Sequence, residues 1–112
     1  MVTRYCAILL VIFCVQETTA MSYPARPIRL VVPAASASGA DYPARAIAAE
    51  LTSQMGQQVI VDNRPGAGGL IGMEVLVRSA PDGYTIGIGN VPTLTVHPAL
   101  TPKMPYDVAK DL

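Results

Sequence analysis

Tryptophan is absent from the 112 residues, phenylalanine and histidine occur once each, and cysteine occurs twice. Both cysteines, Cys6 and Cys14, fall in the first twenty positions. From residue 21 onward there is therefore no disulfide, no thiol nucleophile and no thiolate metal site. The single histidine, His97, lies in a proline-punctuated stretch, and the carboxylates are scattered. Neither pattern offers metal-ligand spacing or an acid–base pair, so no catalytic residue, metal or cofactor is expected. An excess of one charge is also missing, because eight basic and eight acidic side chains cancel. That removes the electrostatic basis for binding nucleic acid or an anionic membrane. No apolar run reaches the length of about twenty residues that a bilayer-spanning helix needs.

The first twenty residues have a character of their own. Arg4 supplies a positive start, Cys6 to Val15 an apolar run, and Thr18-Thr19-Ala20 the small residues that a signal peptidase requires. Residues 1–20 are expected to be a signal peptide cut near Ala20, leaving an exported, soluble product of residues 21–112. Ile12 and Phe13 before Cys14 are too bulky for a lipoprotein cleavage site. The alternative is a buried N-terminal element of the mature fold.

Beyond the signal segment, strand and helix patterns alternate. Ile28-Arg29-Leu30-Val31-Val32 is a β-branched run closed by Pro33, which suits a strand buried on both faces. The small-residue loop to Ala40 follows, and Asp41 is placed to cap a helix. On that helix Ala44, Ile47, Ala48, Leu51 and Met55 share one face, and Gly56 ends it. Val59-Ile60-Val61 predicts a second strand, and a second helix is predicted over 71–78 with Ile71, Val75 and Leu76 inward. Pro81-Asp82-Gly83 predicts a turn, residues 84–89 a third strand, and residues 94–100 a short helical turn. This order predicts an α/β fold, a βαβαβ unit with a parallel sheet.

In such sheets ligands bind beyond the carboxyl ends of the strands, which here means 33–41, 63–72 and 90–93. All three segments are small or polar, and helix N-termini favour anions, so a carboxylate or phosphate suits them. Candidate ligand contacts are Ser36, Ser38, Gly39 and Asp41 in the first segment, then Gly68 and Gly69, then Asn90 and Thr93. The first loop reads equally well as a plain tight connection, and Asp41 more readily as a helix cap than as a ligand contact. The glycines from Gly66 to Gly72 sit where a dinucleotide fingerprint would, but the last arrives one residue late. Asn90 also stands where a ribose-binding acid belongs. A small nucleotide-binding domain of an enzyme is thus the rival reading. Arg64 serves either an anion or an ion pair with Asp62.

Taken together, several segments resemble one family. These are residues 23–33 (YPARPIRLVVP), Asp62-Asn63-Arg64-Pro65-Gly66-Ala67-Gly68-Gly69, Ala80-Pro81-Asp82-Gly83-Tyr84-Thr85 and Pro105-Tyr106-Asp107. In this order they resemble the substrate-binding receptors of tripartite tricarboxylate transporters, the Bug receptors. The resemblance implies a two-lobed periplasmic binding protein that captures small carboxylates without catalysis and works with transporter membrane subunits. It implies that the loop from Pro33 to Asp41 helps hold a ligand carboxyl. Where the family carries a glycine run before a Thr-Asp pair, this chain reads Ala37-Ser38-Gly39-Ala40-Asp41, and Leu70 replaces a frequent asparagine. The family is about three times as long. Residues 21–112 are therefore expected to form an incomplete first lobe without its second lobe, marginally stable and weak in binding. A non-functional gene remnant is the remaining alternative.

Overall fold

The structure, a computed structural model, describes residues 22–112; the expected signal segment and its cut lie outside the described residues. Among the described residues three parallel strands form one sheet in the order β2-β1-β3. They are β1 (Ile28–Val32), β2 (Val59–Asn63) and β3 (Thr85–Gly87). The connections carry α1 (Asp41–Met55) and α2 (Leu70–Val77). After β3 a π-helical stretch, Pro92–Val96, runs into the short α3 (His97–Leu100). The α/β reading and the parallel βαβαβ order are those of the structure. β2 is longer than its apolar core suggested, because Asp62 and Asn63 pair with Val31 and Val32.

Successive strand residues point to opposite faces, and β1 uses both. Ile28, Leu30 and Val32 join Ala44 and Ala48 of α1 and Val59 of β2 in one buried cluster. On the other face Gly87, paired with Val31, leaves the place of its missing Cβ to Leu76 of α2. The helices thus cover opposite faces, and the central strand is buried between them. Two side chains expected inward are not. Ile47 is 47% exposed and Ile71 is 48% exposed. Ala44, Ala48, Leu51 and Met55 already fill the inner stripe of α1, and Ile47 sits about 60° off it by helical pitch. Ile71 instead lies over Gly66, whose missing Cβ would come 2.5 Å from the Ile71 Cδ1.

Gly56 ends α1 as expected, in the left-handed conformation with φ 67° and its amide donating to the Thr52 carbonyl. At the other end the expectation changes. Ala40 occupies the cap position, and Asp41 is the first helical residue. No helix among the described residues is long and apolar enough to cross a membrane.

Candidate functional site

The strand order places the β1 loop centrally at the carboxyl edge, with the β2 and β3 loops flanking it. β1 feeds α1 on one face while α2 covers the other, so this edge is the switch point at which open parallel sheets bind ligands. Gly69 marks where the three loops meet. A Cβ there would lie 2.7 Å from the Thr93 methyl and 3.1 Å from the Pro33 carbonyl oxygen. Its backbone is left-handed, φ 97°, so glycine is needed for both conformation and space. Gly72 is equally tight, with the position of its missing Cβ 2.7 Å from the Pro33 Cα and 2.9 Å from the Arg64 carbonyl. The three segments singled out in the sequence therefore converge, stitched together by glycines.

The first loop is held by Asp41. One carboxylate oxygen accepts the Ala37 amide at 2.8 Å and the Arg45 Nε at 2.9 Å; the other accepts the Asn63 Nδ2 at 2.9 Å. The Arg45 guanidinium, then the Ala37 amide and the Asn63 amide, lower the Asp41 pKa from 3.8 to about 2. The carboxylate is buried and ionised at neutral pH, tying the loop to its own helix rather than capping the helix amides. Asn63 is the second hub. Its Nδ2 also donates to the Ala34 carbonyl at 3.3 Å, and its Oδ1 accepts the Ser36 hydroxyl at 3.1 Å and the Arg45 Nη2 at 3.4 Å. Ser36 is thus joined to the end of β2.

Ser38 presents a different picture. Its amide donates to the Ala35 carbonyl, and its carbonyl accepts the Asp41 amide. Its hydroxyl oxygen is buried with no hydrogen-bond partner. A Cβ on Gly39 would meet nothing within 4 Å. Gly39 also has no left-handed φ, so the fold gives no reason for a glycine there. The amides of Ser36, Gly39 and Ala40 reach no acceptor among the described residues. Ala40 holds the cap position, where an amide is left over by construction, and the Ser36 and Gly39 amides lie in the loop just ahead of it; all three are free for an anion.

The third segment is self-satisfied. Asn90 Oδ1 accepts the Thr93 amide at 3.0 Å while Thr93 Oγ1 accepts the Asn90 amide at 3.1 Å, a reciprocal cap on the helix that follows. Thr93 is 0% exposed, and the Tyr106 hydroxyl donates to its carbonyl at 2.6 Å. Gly68 is exposed and left-handed, and its carbonyl lies 3.3 Å from His97 Nε2. Arg64 is engaged by Asp62, with its Nε 3.0 Å from both carboxylate oxygens. The structure thus places the eight candidates in four roles: the Ser38 hydroxyl and the Gly39 amide without internal partners, Ser36 and Asp41 in the loop network, Gly68 and Gly69 in the left-handed turn against His97 and Thr93, and Asn90 and Thr93 in the cap.

Sequence reasoning put the segment that begins at Asn63 on this edge but named neither Asn63 nor Arg45 among the candidate residues. Arg45 was findable, since an acid and a base four apart on a helix pair across one turn. Asn63 needed the strand register. A separate concavity of about 460 Å³ lies between α2 and the free side of β3. Its lining includes Met73, Leu76, Ile86, Leu94 and Asp111, a mainly apolar surface with an acid rather than a cation. That chemistry does not suit an anion. Among the described residues no three His, Cys, Asp or Glu side chains are grouped to hold a metal.

A parallel sheet with helices on both faces and three loops meeting at its carboxyl edge matches part of one lobe of a solute-binding protein. The chain belongs to the tripartite tricarboxylate transporter family of receptors, whose family model matches residues 43–112. A UPF0065 protein of Bordetella bronchiseptica is 43% identical over 98 residues, covering 88% of this chain and 29% of the relative. The solved periplasmic binding protein BugD is 35% identical with a TM-score of 0.76, over 80% of this chain and 29% of that one. MatC from Rhodopseudomonas palustris, solved with bound malate, is 37% identical with a TM-score of 0.75, over 80% of this chain and 30% of that one. The chain thus spans under a third of the length of the proteins it matches.

Proposed function

We propose that this chain supplies the carboxylate-gripping edge of the first lobe of a periplasmic solute receptor, which binds small dicarboxylates without transforming them. The observation that carries this reading is the first loop. Its network fixes the backbone while leaving the Ser36, Gly39 and Ala40 amides without acceptors. Gly39 adds an opening on the same loop, with no neighbour around its missing Cβ. The relative with malate bound supplies the ligand class. Export through a signal peptide at 1–20, residence of a soluble product in the periplasm and hand-over to transporter membrane subunits complete the proposal. Three loops from one lobe can offer donors to one side of a ligand only, so residues 21–112 taken by themselves bind weakly, about millimolar.

Titrating the purified, isotope-labelled chain with malate and following amide resonances tests the reading. The expected result is saturable shifts of Ser36, Gly39 and Ala40, with an uncharged diol of the same length producing none. Shifts confined to residues around β3 and α2, or none up to tens of millimolar, refute it.

A further inference from the structure

We propose that Asn63 is the positioning residue of this edge, setting the loop amides in place for a ligand it does not itself touch; the inference rests on the carboxylate reading above. The argument begins with register. Pairing of Val32 with Asn63 brings the last residue of β2 beside the start of the β1 loop. There all four hydrogen-bonding positions used by the side chain go to that loop or to α1. Nδ2 donates to the Ala34 carbonyl and to Asp41 Oδ1; Oδ1 accepts from the Ser36 hydroxyl and from Arg45. The loop is thereby pinned at its beginning, its middle and its end by one amide on a neighbouring strand.

The pinning bears on geometry. Ala37 is held at φ 61°, a left-handed conformation that an alanine does not adopt by preference, with its amide turned onto Asp41. Arg45 holds the oxygen that accepts this amide and Asn63 holds the other, so the carboxylate is fixed from both sides. Without Asn63 the loop retains Arg45 as a partner of Asp41 but loses its tie to the sheet. The neighbouring amides of Ser36, Gly39 and Ala40 then sample several directions, and an anion must order them on binding. No other residue type does the same. Aspartate in this position lacks the donors and sets a second carboxylate against Asp41, whereas alanine lacks both functions.

The charged groups facing the side chain are Asp41 and Arg45, both on α1; its strand neighbour Asp62 pairs with Arg29 and Arg64 instead. In Asn63→Asp the two facing carboxylates resist ionising together, so one takes up a proton above the ordinary carboxylate range. That proton restores a donor between them. The test is the malate titration repeated on the parent, Asn63→Ala and Asn63→Asp at neutral pH and at about pH 4.5. At neutral pH both variants should bind at least about tenfold more weakly than the parent measured alongside. At the acidic pH the ratio for Asn63→Asp should return to within about threefold, while that for Asn63→Ala does not move. A purely structural role gives the same ratio at both pH values. Should Asn63→Ala fail to fold, Asn63→Asp carries the test, because loss and recovery are read on one sample. If the parent binds and the variants match it, or the Asn63→Asp ratio ignores pH, the inference falls alone. A parent that does not bind overturns the carboxylate reading and this inference together.

Discussion

Ala37 holds φ 61° without being glycine, while Gly39, two residues on, has neither a left-handed φ nor a neighbour within 4 Å of its missing Cβ. The loop therefore carries its glycine where the backbone has no use for one. Moving it is informative. A left-handed alanine costs about 1–2 kcal/mol. Glycine at the same place costs about 0.4–1 kcal/mol through the entropy of the unfolded chain. Ala37→Gly should therefore stabilise by about 0.5–1 kcal/mol, the difference between the two. Gly39→Ala meets no clash and should add about 0.4–1 kcal/mol from the unfolded state alone. For a domain of this size 1 kcal/mol moves the melting midpoint by about 4–8 °C, well within a thermal melt followed by circular dichroism. The malate titration separates fold from site. Gly39→Ala should melt higher yet bind malate several-fold more weakly, because its methyl enters the space a ligand approaches through. A lower midpoint for Gly39→Ala would show that the backbone needs the glycine, and unchanged malate binding would show that no ligand approaches through that space.

Three further outcomes follow from the geometry. Gly69→Ala places a methyl against fully buried Thr93 and the Pro33 carbonyl at a left-handed φ, and should cost about 2–4 kcal/mol in denaturant titration. Tyr106→Phe leaves the Thr93 carbonyl without its donor and should cost about 1–2 kcal/mol. Burial raises the Tyr106 pKa above 10, so the parent loses stability as pH rises past 10 and the phenylalanine variant should lack that loss. The Asp41 pKa is lowered to about 2 from 3.8. Its contribution is present above pH 3.8 and is lost as pH falls toward about 2; in acid titration Asp41→Asn should show a shallower decline, the remainder coming from Asp62 and Asp107, whose pKa values are also lowered.

Much of the fold could be read from the sequence because local signals and tertiary structure agree. The apolar run at 28–32 became the central strand, and Gly56 stopped α1 where its left-handed preference said it should. The convergence of the three loops also followed from a general property of parallel sheets. The site network was harder to read. An aspartate before a helical run signals a cap, yet Asp41 entered the helix and turned back onto Ala37, because Arg45 and Asn63 offered better partners than free helix amides. Asn63 reads only as the start of the loop after the second strand; its pairing with Val32 places it beside the first loop. The left-handed Ala37 carries no signal in its residue type. Asn90 and Thr93, by contrast, stand three apart with reciprocal donors and acceptors. That spacing belongs to a helix cap, and it accounts for both side chains without a ligand.

A crystal structure of the chain with malate tests the central claim most directly. The account predicts a malate carboxylate at the carboxyl edge of the sheet, with an oxygen about 2.7–3.2 Å from the amide nitrogen of Gly39 or Ala40. Malate lodged instead in the apolar concavity between α2 and β3 would contradict it.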